Sequence, residues 1–170
     1  SSTTAGAIIN IFSYGKRMSR DGRFIAFESL ADWANENNGT NYTATAAFVF
    51  DSTAATNAAF KRVSPRGDAD SGATGGDSLR FPTFTDYDSN GTPSTIILSS
   101  RLNINSAGTV PTTAADGLNS DTTRPTQVYA YQLSPASATP FTRISKFPAS
   151  TVVQNTQTYP SNSFRRISFT

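Results

Sequence analysis

The chain repeats itself, and that recurrence restricts its fold more than any other feature. Ala46–Asp51, "AAFVFD", matches Gln127–Gln132, "QVYAYQ". "FKRVS" at 60–64 matches "FTRIS" at 141–145, and "FIAFESLADW" at 24–33 matches "TIILSSRLNI" at 95–104. Val63-Ser64 and Ile144-Ser145 lie about 80 residues apart, Phe24-Ile25 and Ile96-Ile97 about 72, and Ile97 and Ile167 about 70. A unit of roughly 70–80 residues therefore recurs, over approximate limits 15–78 and 79–146. An incomplete third copy occupies 147–170, where "YPSNSFRRISFT" echoes "MSRDGRFIAFES". Periods of this order belong to propellers and arrays, whose units bury one another's apolar faces.

Each unit reads as short strands. "RFIAF" and "STIIL" are almost wholly apolar, as strands packed on both faces are. "AFVFD" and "VYAYQ" form a second pair, and "FKRVS" and "FTRIS" a third with polar residues facing outward. A further strand before the first turn, "RFPTFT" in one unit and "GKRMS" in the other, brings the count to four. Four antiparallel strands in series make one propeller blade. Composition agrees. Only 15% of residues are charged, against 36% hydrophobic with 12 Phe and 6 Tyr. Ser, Thr, Asn, Gly and Pro fill much of the remainder, which suits strands and turns better than long helices. The fold class expected is all-β, a single region over 1–170 built as antiparallel four-stranded blades of a partial β-propeller. A β-sandwich is the alternative.

Between the first two strands stands Ser19-Arg20-Asp21-Gly22-Arg23. Asp-Gly is a tight-turn signal, with Gly22 supplying positive φ and Asp21 tolerating it. In the second unit "TDYDSNGTPS" reads as a longer loop at the same place.

This combination resembles the TolB-type, WD40-like β-propeller repeats. Ser19–Phe27 carries their Ser-x-Asp-Gly turn and apolar strand, and Ala47-Phe48-Val49-Phe50-Asp51 carries their second strand signature. The match is good over about 15–64 and degenerate over about 79–145. It is partial at the end, where Ser161-Asn162-Ser163-Phe164 replaces the turn. The long Asn-, Gly- and Thr-rich inserts resemble those of secreted bacterial repeats. The resemblance implies a fold and says little of function, since propellers host enzymes, binding platforms and scaffolds alike.

The chain supplies about two units and part of a third, whereas a propeller closes at roughly 4–8 blades. The expectation is therefore a piece of a longer protein, or a subunit that associates with other chains. Phe24, Ile25, Phe27, Ile96, Ile97 and Leu98 are the expected core of strands sandwiched between units.

Several chemistries are excluded or weakened by residue type. His and Cys are both absent, leaving neither disulfides nor imidazole or thiolate ligands for zinc. A Ser-His-Asp system cannot be built, and no Gly-x-Ser-x-Gly elbow appears. Glu28 and Glu36 are the only Glu, and the Asp residues sit in turns. The net charge of +2 carries no Lys/Arg cluster longer than two, so no nucleic-acid surface is expected. No apolar run approaches a membrane span of about 18 residues. Absent Cys and abundant Ser, Thr and Asn point to an exported protein, extracellular, at the cell surface or periplasmic.

One loop offers a metal site. "DYDSNG" places Asp86, Asp88, Asn90 and Gly91 at positions 1, 3, 5 and 6 of an oxygen-ligand calcium loop. Position 12 is Ile97 where a helix-loop-helix site carries Glu, so only a weaker calcium site fits, and a solvated hairpin loop is the plainer reading. Asp68, Asp70 and Asp77 lie in a Gly-rich stretch, and Arg66-Gly67-Asp68 spells an adhesion tripeptide that also arises by chance. Asn38, Asn41 and Asn90 begin glycosylation sequons. Trp33 reads as a residue at the edge of the core. No other cofactor is implied. The function expected is a non-catalytic interaction or scaffold module whose partners are proteins. The alternatives are a structural subunit of a multi-chain assembly, or the propeller part of a hydrolase whose catalytic residues lie elsewhere.

Overall fold

A computed structural model describes residues 17–42, 44–66, 80–122, 124–147, 158–160 and 167–169. The described residues are all-β, with two short 3-10 turns at Thr56–Ala58 and Ala114–Asp116. The first sheet holds β1 (Phe24–Ser29), β2 (Ala46–Asp51) and β3 (Phe60–Arg62) in sequence order. The second holds β4 (Arg80–Tyr87), β5 (Pro93–Ser100), β6 (Gln127–Gln132) and β7 (Phe141–Arg143), also in order. A closing hairpin pairs β8 (Thr158–Pro160) with β9 (Ile167–Phe169), and β8 lies against β4 and β5. All pairings are antiparallel. Ahead of β1, Met18 bridges to Ile25, so the first sheet keeps a remnant of a fourth strand.

The two sheets share one register. Phe27 faces Phe48 and Phe48 faces Arg62; Leu98 faces Tyr129 and Tyr129 faces Arg143. Equivalent residues are thus 71 apart in β1 and β5 and 81 apart in the later strands. Side-chain caps repeat too. Ser64 Oγ accepts the Ala47 amide at 2.9 Å, and Ser145 Oγ accepts the Val128 amide at 2.8 Å.

Because side chains alternate along a strand, each sheet has two distinct faces. One face of the first sheet carries Phe24 and the smaller Ala26, Ala47, Val49 and Val63, and packs on Phe84, Ile96, Leu98, Tyr129, Tyr131 and Phe141 of the second. Large side chains thus interdigitate with mainly small ones across the interface. Translated through the register, those large residues correspond to Met18, Ile25, Phe27, Phe48, Phe50 and Phe60, on the opposite face of the first sheet. The sheets therefore stack head to tail: the second presents its large face to the small face of the first.

Five of the six residues expected in the core are buried: Phe24, Phe27, Ile96, Ile97 and Leu98. Ile25 is not. It is 38% exposed beside Met18 at 59%, because among the described residues no further sheet covers that part of the outer face, on which Phe27 and Phe48 are buried.

At one end of the sheets the two first hairpins meet. Gly22 has φ +72 and closes its turn with an amide bond to the Ser19 carbonyl at 3.0 Å. The second-unit turn, expected to be longer, is shorter by one residue. Ser19 pairs across to Phe24, whereas Asp88 pairs to Thr92. A register shift between Arg80 and Thr83 accompanies this tighter turn. The turns bond directly, with the Asp21 amide on the Gly91 carbonyl at 3.1 Å and Thr92 Oγ1 on Asp21 Oδ2 at 2.8 Å. Gly91, at φ +83, would bring a Cβ within 3.0 Å of Arg20 Cβ, so the contact needs glycine there.

Candidate functional site: a cleft between the long inserts

The long inserts, 30–45 after β1 and 101–126 after β5, project from the other end of the sheets. Each begins the same way. Ser29 Oγ accepts the Ala31 amide and Ser100 Oγ the Leu102 amide, at 3.0 and 2.9 Å. Three residues after each strand, a buried polar side chain then organises the loop. Asp32 accepts the amides of Glu36, Asn37 and Gly39 at 2.7, 2.7 and 2.9 Å. Burial pushes its carboxyl pKa up, but these three donors outweigh burial and hold it below the ordinary value. In the second unit Asn103 does the same work uncharged. It accepts the Asn119 amide at 3.0 Å and donates to the Ala114 carbonyl at 2.9 Å. Equivalent arginines brace each insert from its own sheet: Arg62 Nε bonds Glu36 at 2.5 Å, and Arg143 donates to the Leu118 carbonyl.

Between the inserts lies a cleft of ≈ 630 Å³. Glu36, Tyr42, Arg62, Pro65 and Arg66 line one side, and Gly108, Thr109 and Val110 the other. Arg66 is its most unusual member, being only 6% exposed. Its Nη1 donates to the Ala44 carbonyl at 3.0 Å, and the guanidinium lies 3.5 Å from the Tyr42 ring centroid. Burial lowers its pKa from the ordinary value. Nothing local marks an Arg after a Pro in a polar stretch as buried, and in the sequence Arg66 stands out only within the tripeptide. Asp68 of that tripeptide, with Asp70 and Asp77, lies outside the described residues.

The proposed calcium loop sits at the opposite end, in the turn between β4 and β5. Asp88 Oδ1 accepts the amides of Asn90 and Thr92 at 2.8 and 2.9 Å, closing the hairpin from within. Asp86 is exposed at φ 54, and its carbonyl accepts Ser94 Oγ at 3.0 Å. Among the described residues no group of three or more His, Cys, Asp or Glu is placed to hold a metal ion.

The two Glu residues hold arginines. Glu28 is buried 3.6 Å from Arg17, and Glu36 is engaged by Arg62. Of the sequon residues, Asn38 and Asn90 are exposed and Asn41 is half-buried. Trp33 stacks on Phe60 at 4.8 Å and donates through Nε1 to Ser29 Oγ at 3.0 Å. It lies on the large face of the first sheet, at the edge of the smaller aromatic cluster. No helix among the described residues is long and apolar enough to cross a membrane. Compared with protein-family models, curated proteins and solved structures, the chain finds no match.

Proposed function

We propose that the chain is a non-catalytic interaction module made of β-units stacked as blades of a propeller, working outside the cell or in the periplasm. One observation carries this reading. The row Phe84, Ile96, Tyr131 and Phe141 is 1, 0, 5 and 2% exposed beneath the first sheet, while its counterpart begins with Met18 at 59% and Ile25 at 38%. Part of this face is thus covered in one unit and open in the other, while Phe27 and Phe48 on the first sheet's face are buried beside Trp33. The interface between the two units supplies the template for its partner: a sheet presenting small side chains. The sequential strand order, four strands in the second sheet and three in the first, and the shared register support blades as the architecture.

Catalysis has no support in residue type, since His and Cys are absent. The open face also favours the structural-subunit reading, in which copies of the chain complete one another. Head-to-tail contacts between copies build rings or filaments rather than closed two-fold dimers. Light scattering across a concentration series, with a hydrophobic dye, tests the module. Dye binding or a mass that rises with concentration is expected. A dye-silent monomer of 18.1 kDa at all concentrations would overturn it.

A further inference from the structure

From the buried Arg66 we infer that the cleft between the inserts is a binding site for an organic monocarboxylate. The inference stands apart from the stacking of the units. Arg66 carries a charge at 6% exposure, and its Nη2 has no hydrogen-bond partner. A buried guanidinium without a matching anion is costly. The ion pairs among described residues join Arg17 to Glu28, Arg23 to Asp51 and Arg62 to Glu36, and none includes Arg66. The carbonyls of Ala44 and Ser29 take only Nη1, at 3.0 and 3.4 Å.

The repeat itself marks Arg66 as a departure. Its counterpart is Phe147, 81 residues on. There the backbone is held by Gln127, whose Nε2 donates to the Phe147 carbonyl at 2.9 Å and whose Oε1 accepts its amide at 3.1 Å. An uncharged solution thus exists at the equivalent place, and the first unit uses a buried cation instead. Departures from local rules gather at functional sites.

Ligand class follows from the walls. Arg62 is already paired with Glu36, whereas Arg66 feels Asp32 and Glu36 only at longer range and has no carboxylate in ion-pair contact. The Glu36 carboxylate repels any anion, and a dianion such as phosphate about twice as strongly as a monocarboxylate. Tyr42, Pro65 and Val110 supply apolar surface for the ligand's body. A carboxylate entering beside Tyr42 gives the Arg66 guanidinium an anionic partner, as a charge-assisted hydrogen bond.

Titration of the full 170-residue chain with benzoate tests this, with benzamide as the neutral control. Saturable benzoate binding with a rise in Tm is expected, and no rise with benzamide. Arg66→Met should weaken benzoate by about tenfold or more, the loss of one charged hydrogen bond. Should that variant fail to fold, Val110→Trp fills the cleft from the opposite wall and should also weaken binding. N-acetylphenylalanine distinguishes the source: binding tighter than benzoate assigns the site to a chain's terminal carboxylate, weaker binding to a free acid. Absence of saturable benzoate binding, equal binding of benzamide, or full benzoate affinity in whichever variant folds would overturn the inference.

Discussion

Ile25 and Ile96 hold the same place in two consecutive sheets, yet Ile25 is 38% exposed and Ile96 is fully buried. Their neighbours repeat the contrast. Phe50 packs against Phe60 at 5.0 Å between ring centroids, and Tyr131 against Phe141 at 5.1 Å, but only the second pair is buried. One architecture has been given two environments. Among the described residues the difference between them is a neighbouring sheet that covers Ile96 and not Ile25.

The first-unit turn depends on Gly22. At φ +72 a β-branched side chain is strained by about 1–2 kcal/mol, although a Cβ there meets no atom within 4 Å. Gly22→Val should therefore lower Tm by roughly 2–8 °C through backbone strain alone. Thermal unfolding followed by circular dichroism measures it, and an unchanged Tm would contradict the turn geometry.

Asp32 should make the first insert acid-sensitive. Its folded-state pKa lies below the ordinary value. Its stabilisation is therefore fully present above the unfolded pKa near 3.9 and lost as pH falls through the lower folded value. Asp32→Ala leaves three backbone donors without their acceptor, a loss of about 3 kcal/mol or more. Tm at neutral pH should fall on the order of 10 °C. Stability measured from pH 6 to 2 should drop more steeply in the parent chain than in Asp32→Ala below about pH 4. Parallel profiles would contradict the assigned role.

Much of this was legible beforehand, for reasons visible in particular residues. Short apolar runs in "AAFVFD" and "QVYAYQ" located β2 and β6, because a strand covered on both faces reads as an apolar run bounded by turn residues. The Asp21-Gly22 turn was legible because few residues tolerate its conformation. The length of the second turn was not, because it is closed by the pairing of Asp88 with Thr92, which follows from strand register that local sequence does not encode. Exposure of Ile25 was also hidden, because its sequence is that of a buried strand and no sheet among the described residues covers it. Arg66 was missed because its burial is set by Tyr42 and by backbone carbonyls at Ser29 and Ala44, far along the chain.

Calcium should leave the protein unchanged. Asp88 Oδ1 already serves the Asn90 and Thr92 amides, and freeing it would open the hairpin. Tm at millimolar calcium should equal that in chelator. A rise that Asp86→Ala or Asp88→Ala removes would restore the calcium reading.

Head-to-tail stacking is tested most directly by the same charge placed at its two equivalent positions. Ile96→Glu puts a carboxylate inside a covered face and should unfold the chain or lower Tm by well over 10 °C, since burying an unpaired charge costs several kcal/mol. Ile25→Glu puts it on the open face. The decisive measurement is light scattering of Ile25→Glu against the parent chain. The account predicts a variant that keeps its fold and loses concentration-dependent association and dye binding. A variant that unfolds as Ile96→Glu does, or associates as the parent does, would contradict it.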